Sequence, residues 1–327
     1  MRICVTGSIA TDHLMSFEGR FSDALVASQL DNLSVSFLVG DLNIRRGGVA
    51  ANIAFSLGCL GLTPVLVGAV GASDFDDYRA WLDRHGVDTE SVHVSSLLHS
   101  ARFTCTTDQD SNQIASFYPG AMADARNIEL APVAARLGGI DLLVVSPNDP
   151  EAMLRHTAEA RYSGITFVAD PSQQMGFMGG DQIIALIEGA QYLFTNEYES
   201  ALIEKKTGWS ARDVAERVRT RVTTFSDKGA SIECRGSAAI SVPAVPVDKV
   251  VDPTGVGDAF RAGYLAGLSW DLEPVRCAQI GATLAAFVIE TTGTQEYTLD
   301  PDAFVDRLTA AYGVSAASEV SSHLVAR

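Results

Sequence analysis

The sequence predicts an α/β protein: a three-layer α/β/α domain around a mainly parallel sheet, with a small β-sheet lid. Short apolar runs bounded by turn residues alternate with helix-length stretches, which is the rhythm of βαβ units. Runs such as Leu142-Leu143-Val144-Val145 are apolar at every position, as suits strands covered on both faces. Two regions, 13–46 and 101–118, break this rhythm with extended-looking pieces and polar interruptions.

The strands expected in order are Ile3–Thr6, Val65–Val67, Leu142–Val145, Thr166–Ala169, Tyr192–Thr195 and Arg221–Phe225. Between them, Asp74–His85, Pro150–Tyr162 and Asp181–Ala190 have helical length. A helix begun by Gly47-Gly48 should bury Val49, Ile53, Leu57 and Leu60, leaving Asn52 off that stripe and able to face a ligand. The C-terminal third reads as helices over Asp258–Leu268, Pro274–Glu290 and Asp302–Tyr312, followed by an Ala/Ser-rich tail. In the first irregular region, Phe17, Phe21, Val35–Val39 and Leu42–Ile44 lie in extended pieces. In the second, Ala101–Thr107 and Gln113–Tyr118 flank the polar turn Asp108–Asn112 as a hairpin. Centred on Asp110, that hairpin sets Phe103 opposite Phe117 on one face. The expected organisation is a large α/β domain from 1–12, 47–100 and 119–327, and a lid from 13–46 and 101–118.

A chain of 327 residues is long enough to bury a sizeable core, and 47% hydrophobic with 20% charged residues excludes a disordered protein. The net charge of −16 argues against non-specific binding to nucleic acid or anionic lipid, which would repel such a surface. It does not argue against a small anion held by a few focused donors. Five scattered cysteines (Cys4, Cys59, Cys105, Cys234, Cys277) without a CxxC pair read as reduced thiols. No HxxxH spacing supports a zinc site. Strand-like sequence from Ile3 and the lack of an apolar run of membrane length point to a soluble, cytoplasmic protein.

The most informative segment is Val251-Asp-Pro-Thr-Gly-Val-Gly-Asp-Ala-Phe-Arg-Ala-Gly263. A loop holding Gly255 and Gly257 runs straight into a helix, so backbone N–H groups converge where the helix dipole is positive. That is a place for phosphate charge developing during transfer. Asp258 follows, where a carboxylate either accepts the proton of an attacking hydroxyl or merely caps the helix. Other phosphate motifs are missing: there is no Gly-Lys dipeptide for a Walker A loop, and Phe260 occupies the third glycine position of a dinucleotide fingerprint.

Asp252-Pro-Thr-Gly-Val-Gly-Asp-Ala-Phe260 is similar to the signature of the ribokinase-like (PfkB) carbohydrate and nucleoside kinases. Gly47-Gly-Val-Ala-Ala-Asn52 resembles that family's N-terminal glycine pair, Gly68-x-x-Gly71 with Asp74 a further element, and Asn196-Glu-Tyr-Glu199 its NxxE motif. The ordered set covers Ile3 to Glu296. Within the family, Val5–His13, Ser34–Val39, Ala101–Met122 and Asp170–Gln174 look most like the actinobacterial adenosine kinases. The resemblance implies ATP-dependent phosphorylation of the adenosine 5′-hydroxyl, with Asp258 as base and the Gly255, Val256, Gly257 and Asp258 amides as anion hole. It implies a nucleotide site over Asn196, Thr224, Ser226, Lys228, Gly229 and Gly257, with Ser226 where a glycine is usual. It implies Mg²⁺ oriented through water by Asn196 and Glu199, K⁺ near Asp252, Thr254 and Gly293, and a homodimer through the lid.

For the nucleoside, the implied residues are Ser8, Asp12, Ser36, Gly48, Asn52, Phe103, Phe117 and Gln173. A carboxylate accepts from two vicinal hydroxyls at once, so Asp12 suits a ribose diol, and Gly48 lets backbone approach the sugar. Ser8 and Ser36 are as readily backbone-satisfying hydroxyls, and for Asp12 and Asn52 the alternative to ligand binding is local capping. Phe103 and Phe117 offer flat faces to a purine or pack the lid's own small core. Asp170-Pro-Ser-Gln173-Gln174 lacks the basic residue of the DxNxR pattern of sugar-kinase relatives, which argues against a phosphofructokinase.

Overall fold

Strands that are apolar at every position need cover on two sides, and the structure supplies it. The structure is a computed structural model and describes residues 1–24 and 35–324. Its main sheet has eight strands, β1 (Ile3–Thr6), β4 (Val65–Val67), β9 (Leu142–Val145), β10 (Phe167–Ala169), β11 (Tyr192–Asn196), β12 (Thr220–Thr224), β13 (Ala230–Cys234) and β14 (Ile240–Val242), numbered in chain order. Their spatial order is β14-β13-β12-β11-β10-β9-β1-β4, with every pair from β12 to β4 parallel. The last two strands run antiparallel at one edge, where sequence reading had placed none.

Alternate residues of each strand enter different cores. Ile3, Val5, Leu142 and Val144 pack with the helices Val49–Cys59, Val256–Ser269 and Pro274–Ile289. Cys4, Leu143 and Val145 pack with Leu130–Leu137, Pro150–Ser163 and Gly180–Ile187. This is the expected three-layer fold. One helix departs from expectation: Val49–Cys59 is buried round most of its circumference, Asn52 included, while Val49 itself is only half-buried. The expected amphipathic stripe disappears because Val256–Ser269 packs over the other side of that helix.

A second sheet stands apart, in the order β3-β2-β7-β8, from β2 (Ala10–Ser16), β3 (Asp41–Gly47), β7 (Ala101–Thr107) and β8 (Gln113–Tyr118). The hairpin β7–β8 has the expected limits, and Phe103 pairs with Phe117. The first strand starts at Ala10, before the expected lid boundary at 13, so Asp12 belongs to this sheet, and β3 carries it through Gly47. Phe21 opens a short helix, Phe21–Ala24, and its ring meets Phe17 and Phe37. Ser34 and the stretch 25–34 of the expected lid lie outside the described residues. A two-stranded parallel sheet, β5 (Ala69–Gly71) with β6 (His93–Ser95), follows β4. Among the described residues no helix is long and apolar enough to cross a membrane.

Candidate active site

The C-terminal ends of the parallel strands are where an open α/β sheet leaves a crevice, and the segment singled out above ends there. Gly255 stands at φ 75°, the left-handed region, and starts the helix Val256–Ser269. The Gly257 and Asp258 amides find no backbone acceptor, so the first turn presents free N–H groups at the dipole's positive end. A Cβ on Gly255 would lie 2.8 Å from Thr294 Cγ2. Gly255→Ala is therefore expected to cost ~1–3 kcal/mol through the positive φ alone, read by denaturant unfolding, and to lower turnover by displacing those amides.

Asp258 is buried, and burial raises its carboxyl above the ordinary carboxylate range against the opposing influence of Arg261 and Asn52. Asn52 Nδ2 donates to Asp258 Oδ2 at 2.9 Å. Asn52 Oδ1 in turn accepts from Thr294 Oγ1 and Gln295 Nε2, both at 2.9 Å. Gln295 Nε2 also donates to the Tyr78 hydroxyl, which donates to the Gly47 carbonyl at the end of β3. The carboxylate is thus fixed by a buried chain of hydrogen bonds reaching the second sheet. Asn52 does not face open space as the helix stripe suggested; it positions Asp258.

Beside the loop lies a cavity of about 960 Å³. Among its lining residues are the expected Asn196, Thr224, Ser226, Gly229, Val256 and Gly257. Its apolar wall, Ala244 to Val247 with Ala282, Ala286 and Ile289, escaped sequence reading because it comes from an antiparallel edge and a helix distant in the chain. Lys228 is exposed and does not line it. Ser226 has φ 53°, which explains why a glycine suits that position: the turn demands a left-handed residue, and here serine adopts it.

Asn196 and Glu199 do what a helix start asks. Asn196 Oδ1 accepts from the Glu199 amide and Glu199 Oε2 from the Asn196 amide, both at 2.8 Å, a reciprocal capping box. Glu199 Oε1 lies outside the box, 3.2 Å from Ser172 Oγ, whose one proton goes to the nearer Gln173 Oε1. Among the described residues no three His, Cys, Asp or Glu are grouped to hold a metal directly. Glu199 Oε1, beside the nucleotide-sized cavity, suits a hydrated Mg²⁺ that arrives with its phosphates and is held through water. The K⁺ expectation fits less well. Both Asp252 oxygens accept amides, from Thr254 and Gly293 at 2.9 Å, which with Arg45 hold its carboxyl low although burial raises it. A Cβ on Gly293 would meet Arg45 Nη1 at 2.7 Å, so a guanidinium already supplies positive charge there. Neither side-chain oxygen of Asp252 is without an amide partner.

On the second sheet, Arg45, Asp12, Phe103 and Phe117 stand in one lateral row, and residues directly opposed across strands share a face. Phe117 is 50% exposed and Phe103 partly so. Burial, with Asp252 and Glu296 nearby, pushes the Asp12 carboxyl up to about 6, opposed by Arg45. Ser8 Oγ accepts from the Val49 amide at 3.0 Å, the backbone-satisfying role, and keeps its proton to donate. Gly48, at φ 94°, has no room for a Cβ, which would lie 2.6 Å from the Ser8 carbonyl. Ser36 is exposed in the irregular stretch before β3, where the expected extended piece Val35–Val39 forms no strand, and Gln173 is exposed and accepts from Ser172 Oγ at 2.7 Å. The site is completed by three groups that sequence reading left without a role: Arg45, Asp170 and Arg261.

An open, mainly parallel sheet with an amide-lined helix start, a buried carboxylate and a nucleotide-sized cavity defines a phosphoryl-transfer fold. The chain belongs to the pfkB family carbohydrate kinases, whose model matches residues 13–301. A nucleoside kinase of Methanocaldococcus jannaschii is 29% identical over 94% of this chain and 96% of its own length. One from Methanothermobacter thermautotrophicus is 30% identical over 82% and 86%. The structure of a Burkholderia thailandensis nucleoside kinase in complex with inosine superposes with a TM-score of 0.83, at 35% identity, covering 95% of this chain and 98% of that one.

Proposed function

We propose that this protein is an ATP-dependent nucleoside kinase that phosphorylates the 5′-hydroxyl of adenosine. The observation that carries the reading is the single lateral row of Asp12, Phe103 and Phe117 on the sheet that faces Asp258 through the Asn52–Gln295–Tyr78 chain. A purine would lie on the two rings while Asp12 accepts from the ribose diol. Asp258 takes the 5′-hydroxyl proton as the oxygen attacks the γ-phosphorus, and the Gly255–Asp258 amides receive charge on the transferred group. Mg²⁺, when bound with ATP, neutralises charge on the β- and γ-phosphates. Nucleoside binding draws the second sheet (β2, β3, β7 and β8) over the site as a lid and keeps water from the γ-phosphate.

The named relatives that act on nucleosides support the substrate class. One specific observation favours a second reading, inosine, since the 35%-identical structure is a complex with that nucleoside. ADP release is to be measured across adenosine, inosine, cytidine, ribose and fructose, with kcat/KM expected highest for adenosine. A higher value for inosine would move the assignment to the second reading, and a higher one for a free sugar would overturn the nucleoside reading.

Stacking has its own test. Phe103→Ala and Phe117→Ala should each weaken adenosine binding by ~1–3 kcal/mol, about five- to more than a hundredfold, with ribose binding little changed. If instead the rings only hold the lid together, the variants will lower apo thermal stability and leave adenosine affinity alone. The opposite face of the lid exposes Leu42, Ile44 and Ile114 between edge strands β3 and β8, which supports the homodimer contact there. Ile44→Glu should then yield monomers in sedimentation equilibrium, and a wild type that sediments as a monomer removes the dimer.

A further inference from the structure

Arg261 lies one helical turn beyond Asp258, is almost wholly buried, and has no part in the scheme above. Its Nε is 2.7 Å from Asp170 Oδ2 and its Nη1 3.8 Å from Asp258 Oδ1. The contact with Asp170 is close but misaligned. Neither Asp170 oxygen nor Arg261 Nε has a partner in hydrogen-bond geometry, although all three are buried. A buried pair kept for stability needs aligned, satisfied hydrogen bonds to offset its desolvation, and this one lacks them. The guanidinium also lies against the anion loop, since a Cβ on Gly257 would meet Nη1 at 2.7 Å. Among the described residues lining the cavity Arg261 is the sole Lys or Arg, and the other charged ones are Glu197, Glu199 and Asp227.

We propose that Arg261 is a catalytic residue, parked against Asp170 and turning to the γ-phosphoryl oxygens of ATP as they pass over Gly257. The inference rests on phosphoryl transfer at this loop. Two features favour such a movement. Burial pushes the Asp170 carboxyl up to about 7, against Arg261, so the counter-ion holds its charge loosely. A planar guanidinium matches phosphoryl oxygens in a two-pronged fashion that an ammonium does not.

The test compares Arg261→Met, Arg261→Lys, Asp170→Asn and the double variant Arg261→Met/Asp170→Asn in the full chain. Arg261→Met should lower kcat by ~10²-fold or more while adenosine KM stays within a few-fold. It should also fail to form the adenosine–ADP–aluminium fluoride complex, which mimics the transferring group, yet still bind a non-hydrolysable ATP analogue. Arg261→Lys should recover only part of the rate, and Asp170→Asn should lower kcat by less than Arg261→Met does. The double variant, with both charges removed together, should remain as slow as Arg261→Met. Recovery of wild-type turnover in the double variant, or an undiminished aluminium fluoride complex in Arg261→Met, would show the pair to be structural. Wild-type turnover is recorded alongside: an inactive wild type counts against the kinase reading, and a fast Arg261→Met protein against this one.

Discussion

Asp258→Asn is expected to lower kcat by about 10²- to 10⁴-fold, the range general-base catalysis supplies, while leaving nucleoside affinity within a few-fold of wild type. The substitution is close to isosteric, and the side chain keeps an oxygen to accept from Asn52 Nδ2. It also removes one of three carboxylates around Arg261, so the fold has no new unpaired negative charge to bury. Calorimetry of adenosine binding beside single-turnover rates separates the two quantities. A folded Asp258→Asn protein that turns over at a near-normal rate would remove Asp258 from the base role. Because burial raises this carboxyl and the base must be ionised to act, wild-type turnover should fall on the acid side at a higher pH than an exposed aspartate would give.

The second large effect belongs to Asp12. Asp12→Ala should weaken adenosine by ~1.5–3 kcal/mol, the worth of hydrogen bonds to a charged group, or about one to two decades in Kd. A 2′,3′-dideoxy analogue offers no diol and should lose far less. Equal losses for the two ligands would make Asp12 structural. Its pKa gives an independent handle: with the carboxyl raised to about 6, the acceptor form is present above that pH and lost as pH falls through it. Adenosine Kd, measured by calorimetry so that Asp258 does not intrude, should therefore rise on acidification through about pH 6. Asp12→Asn should abolish that step. A pH-independent wild-type Kd between pH 5 and 8 would count against a role for the Asp12 charge.

Much of this molecule is legible along the chain because the signals are local. Apolar runs mark β4 and β9 to the residue, and Ile3-Cys-Val opens β1, since a strand covered on both faces is chiefly apolar. Glycines at Gly255 and Gly257 before Asp258 mark the anion loop, because a sharp turn into a helix start is set by neighbouring residues. The facing of Phe103 and Phe117 follows from hairpin register alone.

Other features depend on contacts between distant segments. Asn52 reads as ligand-facing from its own helix, yet the Val256–Ser269 helix covers it and turns it into a support for Asp258, 206 residues away. Strands β13 and β14 carry polar, half-exposed or exposed positions, so only the edge of a finished sheet makes them strands. Along the chain Asp12 falls in the large domain, beyond the end of β1, and it is pairing with Arg45 and Phe103 that assigns it to the second sheet. Arg261 was visible three residues after Asp258, but its partner Asp170 comes from the far end of β10. A charge pair across 91 positions leaves no periodicity for sequence reading to detect. The chain alone therefore determined the layers, the glycine loop and the place of the Asp258 carboxylate at the helix start. Tertiary packing decided which buried polar groups meet around that carboxylate, because their pairing is set by geometry and desolvation in three dimensions.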